Sequence, residues 1–86
     1  MAELKTLRKK INDVDERIIK LLSERQKVVE DIGKLKAKTG VEVIDAQREQ
    51  ELADLYDHLS ATYSLEPHFV KQVFKMIILE SRRLQQ

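Results

Sequence analysis

Residues 3–38, ELKTLRKKINDVDERIIKLLSERQKVVEDIGKLKAK, decide the fold. Within them Leu4, Leu7, Ile11, Val14, Ile18, Leu21, Arg25, Val28, Ile32 and Leu35 follow one another in strictly alternating steps of three and four. That spacing is a coiled-coil seam held over more than four heptads, and every position but Arg25 is apolar. The remaining faces are charged, with Asp13–Arg17, Glu16–Lys20 and Glu30–Lys34 four residues apart, acid first, the order that supports a helix. The pattern predicts one helix over 3–38. Gly33 is its weak point, costing ~1 kcal/mol against Ala; it is either a local flaw or a place where something approaches the backbone closely.

Working outward, Thr39-Gly40 predicts the helix end. Gly40 is the C-cap, and Lys34, Lys36 and Lys38 sit at the negative end of the dipole. Val41–Ile44 reads as a short extended connector. Asp45 is an N-cap that opens a second helix to about Leu59, with Leu52, Leu55 and Leu59 as its apolar stripe. Residues 60–64 read as a polar loop. Glu66-Pro67 opens a third helix, with Pro at the first position and Val70, Val73, Phe74, Ile77, Ile78 and Leu84 as its buried face. The expected class is all-α: three helices, the first very long, in one domain over residues 1–86.

Composition narrows the function. Sixteen Lys+Arg against fifteen Asp+Glu give a net charge of +1, which supplies no bulk attraction to nucleic acid or membrane. No apolar run approaches the ~18 residues of a membrane span, and no apolar signal core opens the chain; a cytoplasmic protein is expected. Cysteine is absent, so disulfides and thiolate metal sites are excluded. With two histidines, His58 and His68, far apart in sequence, no metal is expected. Both are read as surface residues, and Tyr56, Tyr63 and Phe69 as packing or surface groups. A chain of 86 residues has a thin core and is usually braced by disulfides, metal or a partner. Only the partner is left. The first helix would span ~54 Å, more than two short helices can cover, so a second copy in a symmetric dimer is expected.

Polar residues at apolar positions point to a site. Arg25 lies in the seam itself, where a guanidinium needs an anion, a partner carboxylate or a route to water. Lys36 is eleven residues on, close to three turns, so the two cations share a face ~16 Å apart and can close on a small anion between them. Arg8 is ~25 Å from Arg25 and turned by ~100°; it is either a surface arginine or a contribution to a site on another protomer. Asp45, Arg48, Glu49 and Leu52 share a face of the second helix. Ser81 and Gln85 prolong the stripe of Phe74 and Ile78 in the third. The set is rich in cations and contains no nucleophile–base pair.

This combination resembles the all-helical chorismate mutases, small intertwined homodimers of aromatic amino-acid biosynthesis. The blocks that carry the resemblance are LRKKINDVDERIIKLLSERQKVVEDIGKLKAK, VIDAQRE and IILESRRLQQ. Gly33 also matches a family glycine. The resemblance implies an intertwined homodimeric helical bundle that rearranges chorismate to prephenate without a cofactor. It implies that Arg25 and the partner's Arg8 hold the two substrate carboxylates, and that Lys36 bridges a carboxylate and the ether oxygen. Gln85 would donate to the same oxygen, Glu49 and the backbone near Asp45 would hold the ring hydroxyl, Ser81 would assist at a carboxylate, and Arg48 would order the second helix beside the ligand. Two rivals stand beside it: an isochorismate pyruvate-lyase of the same fold, and a non-catalytic helical module for regulation or dimerisation.

Overall fold

A computed structural model describes residues 2–40 and 45–85, so the expected connector Val41–Ile44 lies outside the described residues. The three expected helices are present: α1 (Ala2–Thr39), α2 (Ala46–Thr62) and α3 (Pro67–Gln85). The molecule measures 57 × 24 × 16 Å. Its long dimension is that of α1 alone, whose 38 residues at 1.5 Å each make about 57 Å. The radius of gyration, 16.4 Å, exceeds the roughly 12 Å of a compact chain of this length.

The ends follow local chemistry. Gly40 takes φ 74°, and its N–H donates to the Lys36 carbonyl at 2.8 Å, the left-handed cap that glycine adopts without steric cost. Asp45 caps α2, its Oδ1 accepting from the Arg48 N–H at 3.1 Å. Pro67 opens α3, where the Glu66 carboxylate accepts from the Phe69 N–H at 2.8 Å. The backbone N–H groups of His68 and then Phe69 hold the Glu66 carboxyl below its ordinary range.

The expected loop over 60–64 is shorter than read: α2 continues through Thr62. The Ser60 hydroxyl, fully buried, donates to the Tyr56 carbonyl at 2.6 Å, and the Thr62 hydroxyl donates to the His58 carbonyl at 3.0 Å. Polar side chains bonded back to their own helix do not end it. The end comes at Ser64, with φ 56°. Leu65 N–H donates to the Ser60 carbonyl and Ser64 N–H to the Ala61 carbonyl, a Schellman motif with serine in the glycine position.

The packing is lopsided. α3 lies against both α1 and α2, which do not pack on each other among the described residues. On α2 the inward residues are Leu52, Ala53, Tyr56 and Ser60, while Leu55 and Leu59 of the expected stripe stay exposed. Tyr56 is buried because its ring stacks on Phe74, centroids 4.3 Å apart. On α3, Val70 is buried and Phe74, Ile77, Ile78 and Leu84 are half-buried as expected, but Val73 faces out. On α1 the covered residues are Leu22, Arg25, Val29, Gly33 and Lys36, in steps of three and four along its C-terminal half. This stripe meets α3. The coiled-coil seam is another surface: all nine of its apolar residues are at least 40% exposed. Residues 3–21 are exposed throughout among the described residues.

Candidate active site

The α3-facing stripe of α1 carries the chemistry. Two of its five residues are cations, which α3 meets with hydrogen-bonding side chains one turn apart. Arg25 Nη1 donates to the Ser81 hydroxyl, which in turn donates its own proton to the Ile77 carbonyl at 2.9 Å. The proton of Ser81 is thus committed to its helix, and its lone pair holds the guanidinium. Lys36 Nζ donates to Gln85 Oε1 at 3.0 Å. An ammonium only donates, so this bond fixes the orientation of the amide and leaves the two Nε2 hydrogens of Gln85 as donors.

Gly33 lies between these pairs, and the close-approach reading of it is the one the packing supports. A Cβ there would stand 3.1 Å from the Gln85 Cα and 3.4 Å from its Cγ. The absence of a side chain lets the last turn of α3 settle onto α1, one turn from Lys36. Backbone proximity at 33 therefore sets the geometry of the bond at 36.

α2 closes the third side. Arg25, Lys36, Asp45, Arg48, Glu49, Ser81 and Gln85 all line one cavity of about 470 Å³, within the range of small-molecule sites. Seven of the eight residues anticipated from sequence therefore converge. Arg8 does not: it lies in the exposed N-terminal half of α1 and is not among the lining residues. Val29, Ile32, Leu52 and Ile78 supply the apolar wall.

The charges of the cavity sort into two groups. Arg48 pairs with Glu51 at 3.4 Å, and Glu49 pairs with Arg82 of α3. Asp45 is engaged as the cap. Arg25 has no carboxylate partner among the described residues; its bonded neighbour is the neutral Ser81 hydroxyl. The acceptor of Lys36 on α3, the Gln85 amide, is likewise neutral. A half-buried guanidinium met by a hydroxyl is poised for an anionic group from outside the chain, because the planar fork binds carboxylates bidentately. Arg82 is the site residue missed in the sequence. It sits in an Arg-Arg doublet near the chain end, and its step of four from Ile78, a member of the apolar stripe, was the available signal. Among the described residues no group of three or more His, Cys, Asp or Glu is placed to hold a metal ion, and no helix is long and apolar enough to cross a membrane.

Fold and site together define a three-helix protein whose cavity is lined by an arginine and a lysine, with amide and carboxylate groups around them. The chain belongs to the chorismate mutase type II family, to which residues 7–86 match. It is 27% identical over 85 residues to the chorismate mutase of Methanocaldococcus jannaschii, covering 99% of this chain and 86% of that protein. It is 34% identical over 83 residues to the bifunctional chorismate mutase/prephenate dehydratase of Escherichia coli K12, covering 96% of this chain but 22% of that enzyme. A similarly named bifunctional enzyme of Aquifex aeolicus is 44% identical over 52 residues, 60% of this chain and 14% of that protein.

Proposed function

We propose that this chain converts chorismate to prephenate in phenylalanine and tyrosine biosynthesis, as a cytoplasmic homodimer whose catalytic domain is the three helices described. The observation that carries this reading is the convergence of Arg25, Lys36, Glu49 and Gln85 on one cavity, with Arg25 bonded to a neutral hydroxyl.

The reaction is unimolecular and pericyclic. The ether C–O bond breaks as a C–C bond forms, and no proton or electron leaves the substrate. Chorismate carries two carboxylates, an enolpyruvyl ether and a ring hydroxyl. Arg25 holds one carboxylate, steadied by Ser81, which acts through the guanidinium instead of touching the ligand. The partner's Arg8 holds the other. Lys36 lies between a carboxylate and the ether oxygen, and Gln85 donates to that oxygen through Nε2. Glu49 and the backbone at Asp45 accept from the ring hydroxyl, and Arg48 stiffens the first turn of α2 beside them.

Two effects give acceleration. Gripping both ends of the substrate selects the compact, chair-like conformer in which the reacting carbons approach, a positioning contribution. Charge grows on the ether oxygen as its bond breaks, so donors from Lys36 and Gln85 bind the transition state more strongly than the substrate.

The dimer reading is supported by the uncovered seam. Nine half-exposed apolar side chains, at roughly 1 kcal/mol each on further burial, amount to a stabilisation comparable to that of a whole small domain. Pairing of α1 with a second α1 covers the seam and brings Arg8 to a cavity it cannot reach in its own chain. The test is to supply chorismate to the purified protein and identify the product. Prephenate supports the assignment; pyruvate released when isochorismate is supplied in its place replaces it with the lyase; and no product from either, with intact helices, leaves a non-catalytic module.

A further inference from the structure

Arg82 is placed differently from the other polar residues of α3. Its neighbours Ser81 and Gln85 reach α1, whereas Arg82 reaches α2 and bonds Glu49 Oε1 through Nη2. Both partners of this ion pair line the 470 Å³ cavity. Both also line an apolar groove of about 320 Å³ on the far side, walled by Leu52, Tyr56, Phe74 and Ile78. With Leu52 and Ile78, which also line both, the pair stands between the two spaces. The side chains are 31% and 43% exposed, so neither is a freely solvated surface group. The other arginine near Glu49, Arg48, is engaged with Glu51.

We propose that Arg82 is a specificity-determining positioning residue. By gripping one oxygen of Glu49 from a different helix, it fixes the second oxygen as the acceptor for the ring hydroxyl, and so sets which hydroxyl position the cavity accepts. A glutamate held only by its own helix samples several rotamers and accepts hydroxyls at more than one place. A glutamate anchored from α3 accepts at one. The planar fork of arginine is what sets the direction; a lysine supplies the charge without the geometry. The inference rests on the reading of Glu49 given under the proposed function.

The experiment compares kcat/KM for chorismate and for the analogue that lacks the ring hydroxyl, in wild type, Arg82→Met, Arg82→Lys, Glu49→Gln and the double variant Glu49→Gln/Arg82→Met. Arg82→Met is expected to lower kcat/KM for chorismate by about tenfold or more and to alter turnover of the analogue by less than threefold, so discrimination between the two collapses. Arg82→Lys recovers part of the loss, and Arg82→Met adds little in the Glu49→Gln background, because the two residues act as a unit. Circular dichroism checks that each variant retains its helices. Equal losses on both compounds, or additive losses in the double variant, overturn the inference while leaving the mutase reading intact. A folded wild type that turns over neither compound fells the mutase reading, and this inference with it.

Discussion

Gly33→Ala tests the proposed site through a single methyl group. The new Cβ would stand 3.1 Å from the Gln85 Cα, where carbon–carbon contacts are comfortable at roughly 3.5–4.0 Å. The obstructing atom is backbone, so no side-chain rotation relieves it, and the last turn of α3 must retreat by about 0.5 Å. The Lys36–Gln85 bond, 3.0 Å in the native arrangement, then stretches to about 3.5 Å, beyond useful hydrogen-bond length. A displacement of 1 Å at a reacting group costs ~10²-fold in rate, so half of that corresponds to about tenfold, or ~1.4 kcal/mol in the barrier. Stability falls by about 0–2 kcal/mol. Alanine gains ~1 kcal/mol of helix propensity over glycine, set against an overpacking cost of about 1–3 kcal/mol. The assay is steady-state consumption of chorismate beside thermal melting followed by circular dichroism. We expect kcat to fall about tenfold, KM to change less because Arg25 and Ser81 are away from the contact, and the melt to remain cooperative. A folded Gly33→Ala variant with kcat within twofold of wild type would refute the link between backbone approach at 33 and the bond at 36.

The other expectations concern the same helices. Gln85→Glu replaces a permanent donor with one that donates only when protonated, so activity should rise as pH falls; an unchanged pH–rate profile removes Gln85 from the ether oxygen. Arg25→Leu makes the seam of α1 continuously apolar and should hold or raise the denaturation midpoint while kcat/KM drops by about 10³-fold or more; activity that survives would remove Arg25 from the substrate carboxylate. Ser64→Gly relieves the left-handed backbone at the end of α2 and should stabilise by roughly 0.5–1 kcal/mol, read from the urea midpoint; a lower midpoint would argue against strain at that turn. The Glu66 carboxyl is held below its ordinary value of 4.5 by the N–H groups of His68 and Phe69. Its contribution is complete above the unfolded value and is lost as pH falls through the folded one. Glu66→Gln should therefore flatten the loss of melting temperature on acidification, and an unaltered slope would dismiss the cap.

Much of this was legible in the sequence because local chemistry dictates it. The heptads marked α1, and Gly40, Asp45 and Pro67 marked three of the helix ends by their conformational preferences. Serine and threonine are less informative: at 60 and 62 they bond back into the helix, although their polarity suggests a loop. Periodicity identified apolar faces but not which surface each one meets. Leu55 and Leu59 looked like the inner stripe of α2, yet the aromatic stack of Tyr56 on Phe74 turns that helix by about a third of a turn. The α3-facing stripe of α1 was hidden for the same reason, since Leu22 and Val29 fall beside a more regular seam. Seven of the expected residues line one cavity, and Arg25, Ser81 and Gln85 are conspicuous in the sequence as polar groups on apolar stripes. Arg82 is not, because an arginine doublet near the chain end reads as surface.

The bareness of residues 3–21 has a kinetic meaning. In a lone chain this half of α1 is exposed along its length, and isolated helices of that length are marginal in water. Its amide protons should exchange with solvent many times faster than those between Leu22 and Lys36, which α3 shelters. If the proposed homodimer supplies the cover, formation of the full-length α1 is a second-order process that waits on collision between chains. Activity that depends on Arg8 would appear after mixing with a lag that shortens as the protein concentration rises.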